Sequence, residues 1–264
     1  MKRTTAFAAL SLGLVAATAT AQDMMRDVDL SSPKMVLAEM TRSEVEAALA
    51  GATEAAPADF TAKGLSGLDL SGLNLSGAIL RAARLNKTRL AGAKLDRAIL
   101  DQAWLLGADL TGASLKGANL FASQMARSRL DGADLAGARV VADLSGASLI
   151  GASVVGARMG ADMRNQSMGL IRTVLRSANL ERVNARNADL SRADLEFASL
   201  RGADLTGVSL KNAELAGADL TGATIVDADF EGADLASAKL IAPIGLDRAK
   251  NLDKAKNRDR LIKQ

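Results

Sequence analysis

Apolar residues recur along this chain with a period of five. From Phe60 the central residue advances without a slip through Leu65, Leu70, Leu75, Leu80, Leu85, Leu90, Leu95, Leu100, Leu105, Leu110, Leu115, Leu120, Met125, Leu130, Leu135 and Val140. Ala commonly stands two residues before it, as in Ala108-Asp109-Leu110-Thr111-Gly112 and Ala218-Asp219-Leu220-Thr221-Gly222. In an extended segment residues two apart share a face, so Ala and Leu point inward while the residues on either side of Leu point outward. The last position is often Gly (Gly72, Gly92, Gly112, Gly132), which accepts the φ values of a corner. Each unit is then one short side and one corner. It cannot bury its apolar face alone, and stacking of successive turns closes a continuous core.

These Ala-(Asp/Asn)-Leu-x-x units resemble the pentapeptide-repeat proteins, from Ala58-Asp59-Phe60 to Ala238-Lys239-Leu240. The resemblance implies an all-β, right-handed quadrilateral β-helix with four units, about twenty residues, per coil. Residues one coil apart then stack at roughly the 4.8 Å strand spacing, which lets the outward columns be read. One column runs Asp69, Arg89, Asp109, Arg129, an alternating charge ladder. A later column, Asp194, Glu214 and Asp234, stacks like charges with no compensation within itself, which leaves room for a cation or a basic partner.

The register falters after Val140, where Leu144 comes one residue early. Met163 is early again, and two extra residues between Met168 and Leu175 restore the old phase. The break spans about 141–174, and within it the segment 160–174 is expected to form a bulge, kink or protruding loop that splits the rod into two stacks. Met159, Met163 and Met168 fall at central positions, which reads as core filling in preference to a Cu(I) site. Beyond the break the period resumes to Leu240, with Ala185 as a small exception and Arg172, Arg176, Arg182, Arg186 and Arg192 clustered at its start.

The segments outside the repeat read differently. Met1-Lys2-Arg3, the apolar run Ala6 to Ala17 and Ala19-Thr20-Ala21 make a secretory signal peptide, residues 1–21, cleaved after Ala21. The mature chain is expected in the periplasm or secreted. It has no Cys for a lipid anchor or a disulfide and no apolar stretch for stable membrane insertion. Residues 22–57 form a linker and an N-terminal cap of two short helices. Ser32-Pro33 opens one helix, and the capping box Thr41-Arg42-Ser43-Glu44 opens the other. Residues 241–264 read as a C-terminal helix from Leu246 to Ile262, so that short α-helical caps close both ends.

Charge adds one feature. The formal net charge is +3, and loss of Lys2 and Arg3 with the leader brings the mature chain near neutrality. Asp247 to Gln264 concentrates bases at Arg248, Lys250, Lys254, Lys256, Arg258, Arg260 and Lys263. That tail reads as a solvated cap or as a weak anion-binding or membrane-surface contact.

Aromatics make up 2% of the chain, and several of them sit in outward columns. Ile79 and Ile99 share a column, Trp104 and Leu106 flank inward Leu105, and Phe121 is outward one coil later. Two readings stand: local packing around a corner or under the N-terminal cap, or a surface for a partner protein or for self-association.

With no His, Cys or Tyr, the chain lacks the commonest general base, the thiolate nucleophile and His/Cys zinc ligands. Neither a P-loop nor a dinucleotide fingerprint occurs, so no enzyme activity and no cofactor are expected. The leading function is an exported structural or protein-interaction solenoid. The resemblance also brings an alternative, since some pentapeptide-repeat proteins mimic duplex DNA and bind DNA gyrase. Near-neutral charge, a basic tail and an export signal speak against that alternative, and no nucleic-acid partner is expected. Cation binding along Asp194, Glu214 and Asp234 is the third possibility.

Overall fold

The computed structural model describes residues 29–163 and 171–263. The expected leader at residues 1–21, the start of the expected linker to residue 28, and Met168 lie outside the described residues.

The outward residue before each central Leu forms an isolated parallel bridge to the residue one coil on, and four such bridges make each turn of the helix. Side 1 runs Asp59, Ile79, Ile99, Asn119, Arg139, Arg158, Asp189, Ser209, Asp229, Lys250. Side 2 runs Gly64, Arg84, Trp104, Gln124, Asp143, Val174, Asp194, Glu214, Asp234, Lys256. Side 3 begins Asp69, Arg89, Asp109, Arg129, and side 4 begins Asn74, Lys94, Ser114, Asp134.

The backbone explains this pattern. Leu90 N–H donates to Asp109 C=O at 2.6 Å in the next coil, Asp109 N–H returns to Thr88 C=O at 3.0 Å, and Ala93 N–H closes the corner onto Leu90 C=O at 3.0 Å. Each side is too short for a continuous strand, so pairing is confined to single rungs.

The central Leu and its Ala form one buried core from Val45 to Leu240. Where polar residues replace that Ala, the backbone takes up two of the hydroxyls, Thr88 donating to Leu65 C=O at 2.8 Å and Ser123 to Leu120 C=O at 3.0 Å, whereas the buried Ser128 Oγ meets no partner among the described residues. Corners require a left-handed residue, and Gly112 supplies it at φ +64°. Arg97 (φ +56°) and Phe197 (φ +59°) occupy the same kind of corner, each at a cost of about 1–2 kcal/mol that the surrounding pairing offsets.

At the N-terminal end, α1 (Pro33–Val36) and α2 (Arg42–Ala50) lie against the first coils. The Thr41 side chain accepts from Glu44 N–H while Glu44 accepts from Thr41 N–H, the reciprocal box written in the sequence. Met35 C=O accepts from Ser66 Oγ at 2.9 Å and from Asn86 Nδ2 at 3.2 Å, and the Glu39 carboxylate holds the buried Arg84 guanidinium.

The break does not split the rod. Asp143 bridges Val174, Ser148 bridges Asn179, Ser153 bridges Asn184, and Arg158 bridges Asp189, so the coil before the break stacks directly on the coil after it. Pairing with the next coil continues through Ala161, whose N–H donates to Ser191 C=O at 3.0 Å, and resumes at Thr173, with an antiparallel bridge between Asp162 and Ile171 at the root of the insertion. An insertion between sides 1 and 2 preserves every rung, whereas a kink would cost the pairing of a whole coil. Met159 is buried, but Met163 stands 46% exposed on the insertion, so its expected core position is corrected.

The C-terminal helix is also corrected. Residues 244–262 make a further coil whose period is six: Ile244, Lys250, Lys256 and Ile262 bridge back to Thr224, Asp229, Asp234 and Lys239. Each corner becomes a short 3-10 turn (Leu246–Arg248, Leu252–Lys254, Arg258–Arg260) entered through a left-handed Gly245, Asn251 or Asn257. Pairing with the preceding coil satisfies backbone groups on every side, which a helix laid across the end would not do.

Candidate functional site

Side 2 carries the site. Its lower rungs are covered by the N-terminal cap, where Glu39 pins Arg84. The next rung is Trp104, then Gln124, and above them Asp143 pairs with Val174 where the insertion rejoins the wall. A window holding Trp104 and Gln124 therefore lies between the cap and the insertion. Trp104 and Leu106 are both half-buried there, and Leu106 N–H donates to Asn86 Oδ1 at 3.0 Å. The Gln124 carbonyl oxygen is shielded from solvent and meets no donor among the described residues.

The other three residues expected with Trp104 lie around the corner. Ile79, Ile99 and Phe121 belong to side 1 and are half-buried, so the five do not form one exposed apolar patch. Phe121 is tied to the insertion: the Arg139 guanidinium lies 4.0 Å from its ring centroid and pairs at 3.1 Å with Asp162. The aromatic group and the register break, which the sequence presents as separate features, are joined through Arg139.

The acidic column is compensated from outside itself. Arg172, at the return of the insertion, forks onto Glu214 at 2.6 and 2.8 Å and approaches Asp194 at 3.5 Å. Arg176 pairs with Asp194 at 3.0 Å and with Glu196. The hydrogen bond to Glu214 raises the Arg172 guanidinium above its ordinary pKa. The Asp194, Glu196 and Glu214 carboxylates come within 4.8 Å of one another, but two guanidinium groups already occupy that space. Asp234 accepts from Asn257 at 2.7 Å in the last coil. Sequence reasoning missed Arg172 as the counter-ion because it lies outside the five-residue register.

The ladder on side 3 forms, with Arg89–Asp69 at 2.6 Å and Arg129–Asp109 at 3.6 Å. Hydrogen bonds from Arg89 and Ser71 hold the Asp69 carboxyl well below the usual carboxylate range. Neither this ladder nor the window assembles a nucleophile with a base. A cleft of about 530 Å³ between Leu49, Pro57, Asn74 and Arg97, which the period does not foretell, offers only Glu54 and Arg97 as charged groups.

The profile of the pentapeptide repeats family matches this chain in eight copies, over residues 65–102, 100–137, 170–207, 198–235 and 213–241. The chain belongs to the pentapeptide repeat family. Proteins of this family form right-handed quadrilateral β-helices and are generally non-enzymatic structural or interaction proteins; the rungs here show the four sides.

Among solved structures the chain is similar to HetL, a pentapeptide repeat protein involved in heterocyst differentiation regulation from the cyanobacterium Nostoc sp. strain PCC 7120. The identity is 26% over 85% of this chain and 95% of that one, with a TM-score of 0.41. It is similar to QnrB1, a plasmid-mediated fluoroquinolone resistance protein, at 20% identity over 73% of this chain and 92% of that one, with a TM-score of 0.37. A pentapeptide repeat protein of the Arabidopsis thaliana thylakoid lumen is 28% identical over 50% of this chain and 68% of that one, with a TM-score of 0.21. No curated protein matches the chain in sequence. Among the described residues no helix is long and apolar enough to cross a membrane.

Proposed function

We propose that this pentapeptide repeat protein is a non-enzymatic docking rod that works outside the cytoplasm and presents the edge between sides 1 and 2 to a partner protein. The Arg139 bridge carries the reading, because one guanidinium caps the Phe121 ring and holds the Asp162 carboxylate. It fixes the insertion beside the Trp104 window, so a half-exposed aromatic, a cation and a rigid loop root meet along one edge. Such a group supplies an aromatic anchor in a polar surround at little cost in side-chain ordering. The leader-like sequence of residues 1–21 supports export.

The test is fractionation of natively expressed, C-terminally tagged protein, with the N-terminus read by mass spectrometry and co-purifying proteins compared between wild type and Trp104→Ala. The proposal expects a chain beginning at Gln22 outside the cytoplasm and a protein that is lost from the variant while its circular dichroism is unchanged. An unprocessed cytoplasmic chain overturns the export half of the reading. Unfolding of Trp104→Ala would assign Trp104 to the core.

A further inference from the structure

The six-residue coil at 244–263 concentrates unpaired bases more densely than the rest of the rod. In the coils just below it most bases are paired, Arg186 with Asp204 at 3.1 Å, Arg201 with Asp219 at 3.1 Å, and Lys211 with Asp229 at 3.2 Å and Glu231 at 2.9 Å, and single bases such as Arg182 and Arg192 stand without an ion pair among the described residues. In the last coil Arg248 reaches down to Asp227, whereas Lys250, Lys254, Lys256, Arg258, Arg260 and Lys263 make no ion pair among the described residues. Asp247, Asp253 and Asp259 alternate with these bases without cancelling them.

The same coil exposes apolar side chains. Ile244 is 59% exposed, Leu246 48% and Ile262 39%, in a rod whose other outward positions are mostly polar. The rung residues Ile244, Lys250, Lys256 and Ile262 stand on four different sides. Cations and apolar groups therefore ring the perimeter at one level and do not line a groove along one side.

A polynucleotide or an extended acidic peptide is a line of charge and would meet one side of such a ring. A sheet of anionic headgroups over a hydrocarbon layer meets the whole perimeter, pairing the bases while accepting the apolar side chains. We infer that the last coil is a peripheral contact for an anionic lipid surface, with Lys250, Lys254, Lys256, Arg258, Arg260 and Lys263 as headgroup ligands and Ile244, Leu246 and Ile262 entering the interface.

The test is co-sedimentation of the full chain with vesicles of phosphatidylcholine alone and of phosphatidylcholine with about one-third phosphatidylglycerol, with a short DNA duplex as soluble competitor. Each base near such a surface contributes on the order of fivefold in partitioning. Binding should favour the anionic vesicles by at least tenfold and weaken with added salt. Lys250→Glu/Lys256→Glu should lower it by roughly 25-fold or more. Ile244→Ser/Ile262→Ser should lower it while leaving the salt dependence in place. Both pairs bridge through backbone atoms, so unchanged thermal melts are expected and serve as the folding control. Equal binding to neutral and anionic vesicles, or full binding by the folded charge-reversed variant, overturns the inference. Release from vesicles by an equivalent charge of duplex DNA also overturns it, and assigns the ring to a polynucleotide.

Discussion

Replacing Arg172 by Met keeps an unbranched apolar stem and removes the guanidinium that fastens the insertion to side 2. Two interactions are lost, and they differ in worth. Glu214 is 39% exposed, so loss of its fork at 2.6 Å resembles loss of a good surface pair, at most about 1 kcal/mol. The Asp194 side chain is 4% exposed, and an abandoned buried carboxylate would cost about 3–5 kcal/mol. It is not abandoned, because Arg176 remains at 3.0 Å and Glu196 N–H at 3.1 Å, while the lost contact is long at 3.5 Å. The low end of a charged hydrogen bond, about 1.5 kcal/mol, is therefore the better figure for that part. The total is about 1.5–2.5 kcal/mol, read as urea-midpoint shifts at constant slope. In a double-mutant cycle with Asp194→Asn, the two changes should couple by about 0.5 kcal/mol or more. Amide exchange at Asp162, which donates to Ile171 C=O at 2.8 Å, should quicken while Leu110 stays protected. A loss above about 3 kcal/mol, or no coupling, would refute this apportioning.

Three other outcomes follow from the rod itself. Leu110→Ala empties a fully buried central position and should cost about 2–5 kcal/mol in chemical denaturation. Gly112→Ala should cost only the corner strain of about 1–2 kcal/mol, because nothing lies within 4 Å of its Cβ. Gly245→Ala should cost more, since its Cβ would meet Val226 Cγ2 at 2.2 Å and the Val226 backbone at 3.2 Å; paired thermal melts decide between them. The Asp69 carboxyl titrates low because of its bonds from Arg89 and Ser71, and that of Asp59 because of its bonds from Thr61. Groups depressed in the folded state add stability that is complete above the unfolded value of about 4 and is lost as pH falls through the folded values. Melting temperature should therefore stay level from pH 7 to about 5 and decline below about 4.

The repeat is legible because every coil states it again: a buried central residue, usually Leu, in each unit and a rung beside it leave little freedom to the intervening residues. The side 3 ladder was legible for the same reason. What escaped lay where the period changes. In the tail Leu246, Ala249 and Leu252 fit one helical face, yet Gly245-Leu246-Asp247, Asn251-Leu252-Asp253 and Asn257-Arg258-Asp259 repeat every six residues with a left-handed residue first, and that second period is the sequence signal of the last coil. The insertion was located by its slipped register, but its effect on stacking was not, because the residue count does not say which coils touch. The pairing of Arg172 with Glu214 and of Arg139 with Phe121 and Asp162 depends on that stacking, so it became visible only with the rungs in place.

The docking edge is tested most directly by photo-crosslinking in the native cell, with a photoreactive phenylalanine analogue placed at Trp104 in one strain and at Lys94, exposed on side 4, in another. The proposed edge predicts a discrete protein adduct from position 104 that is absent from position 94, in cells where both chains accumulate equally. Adducts from position 94 with none from position 104 would contradict it and move the contact to the opposite wall of the rod.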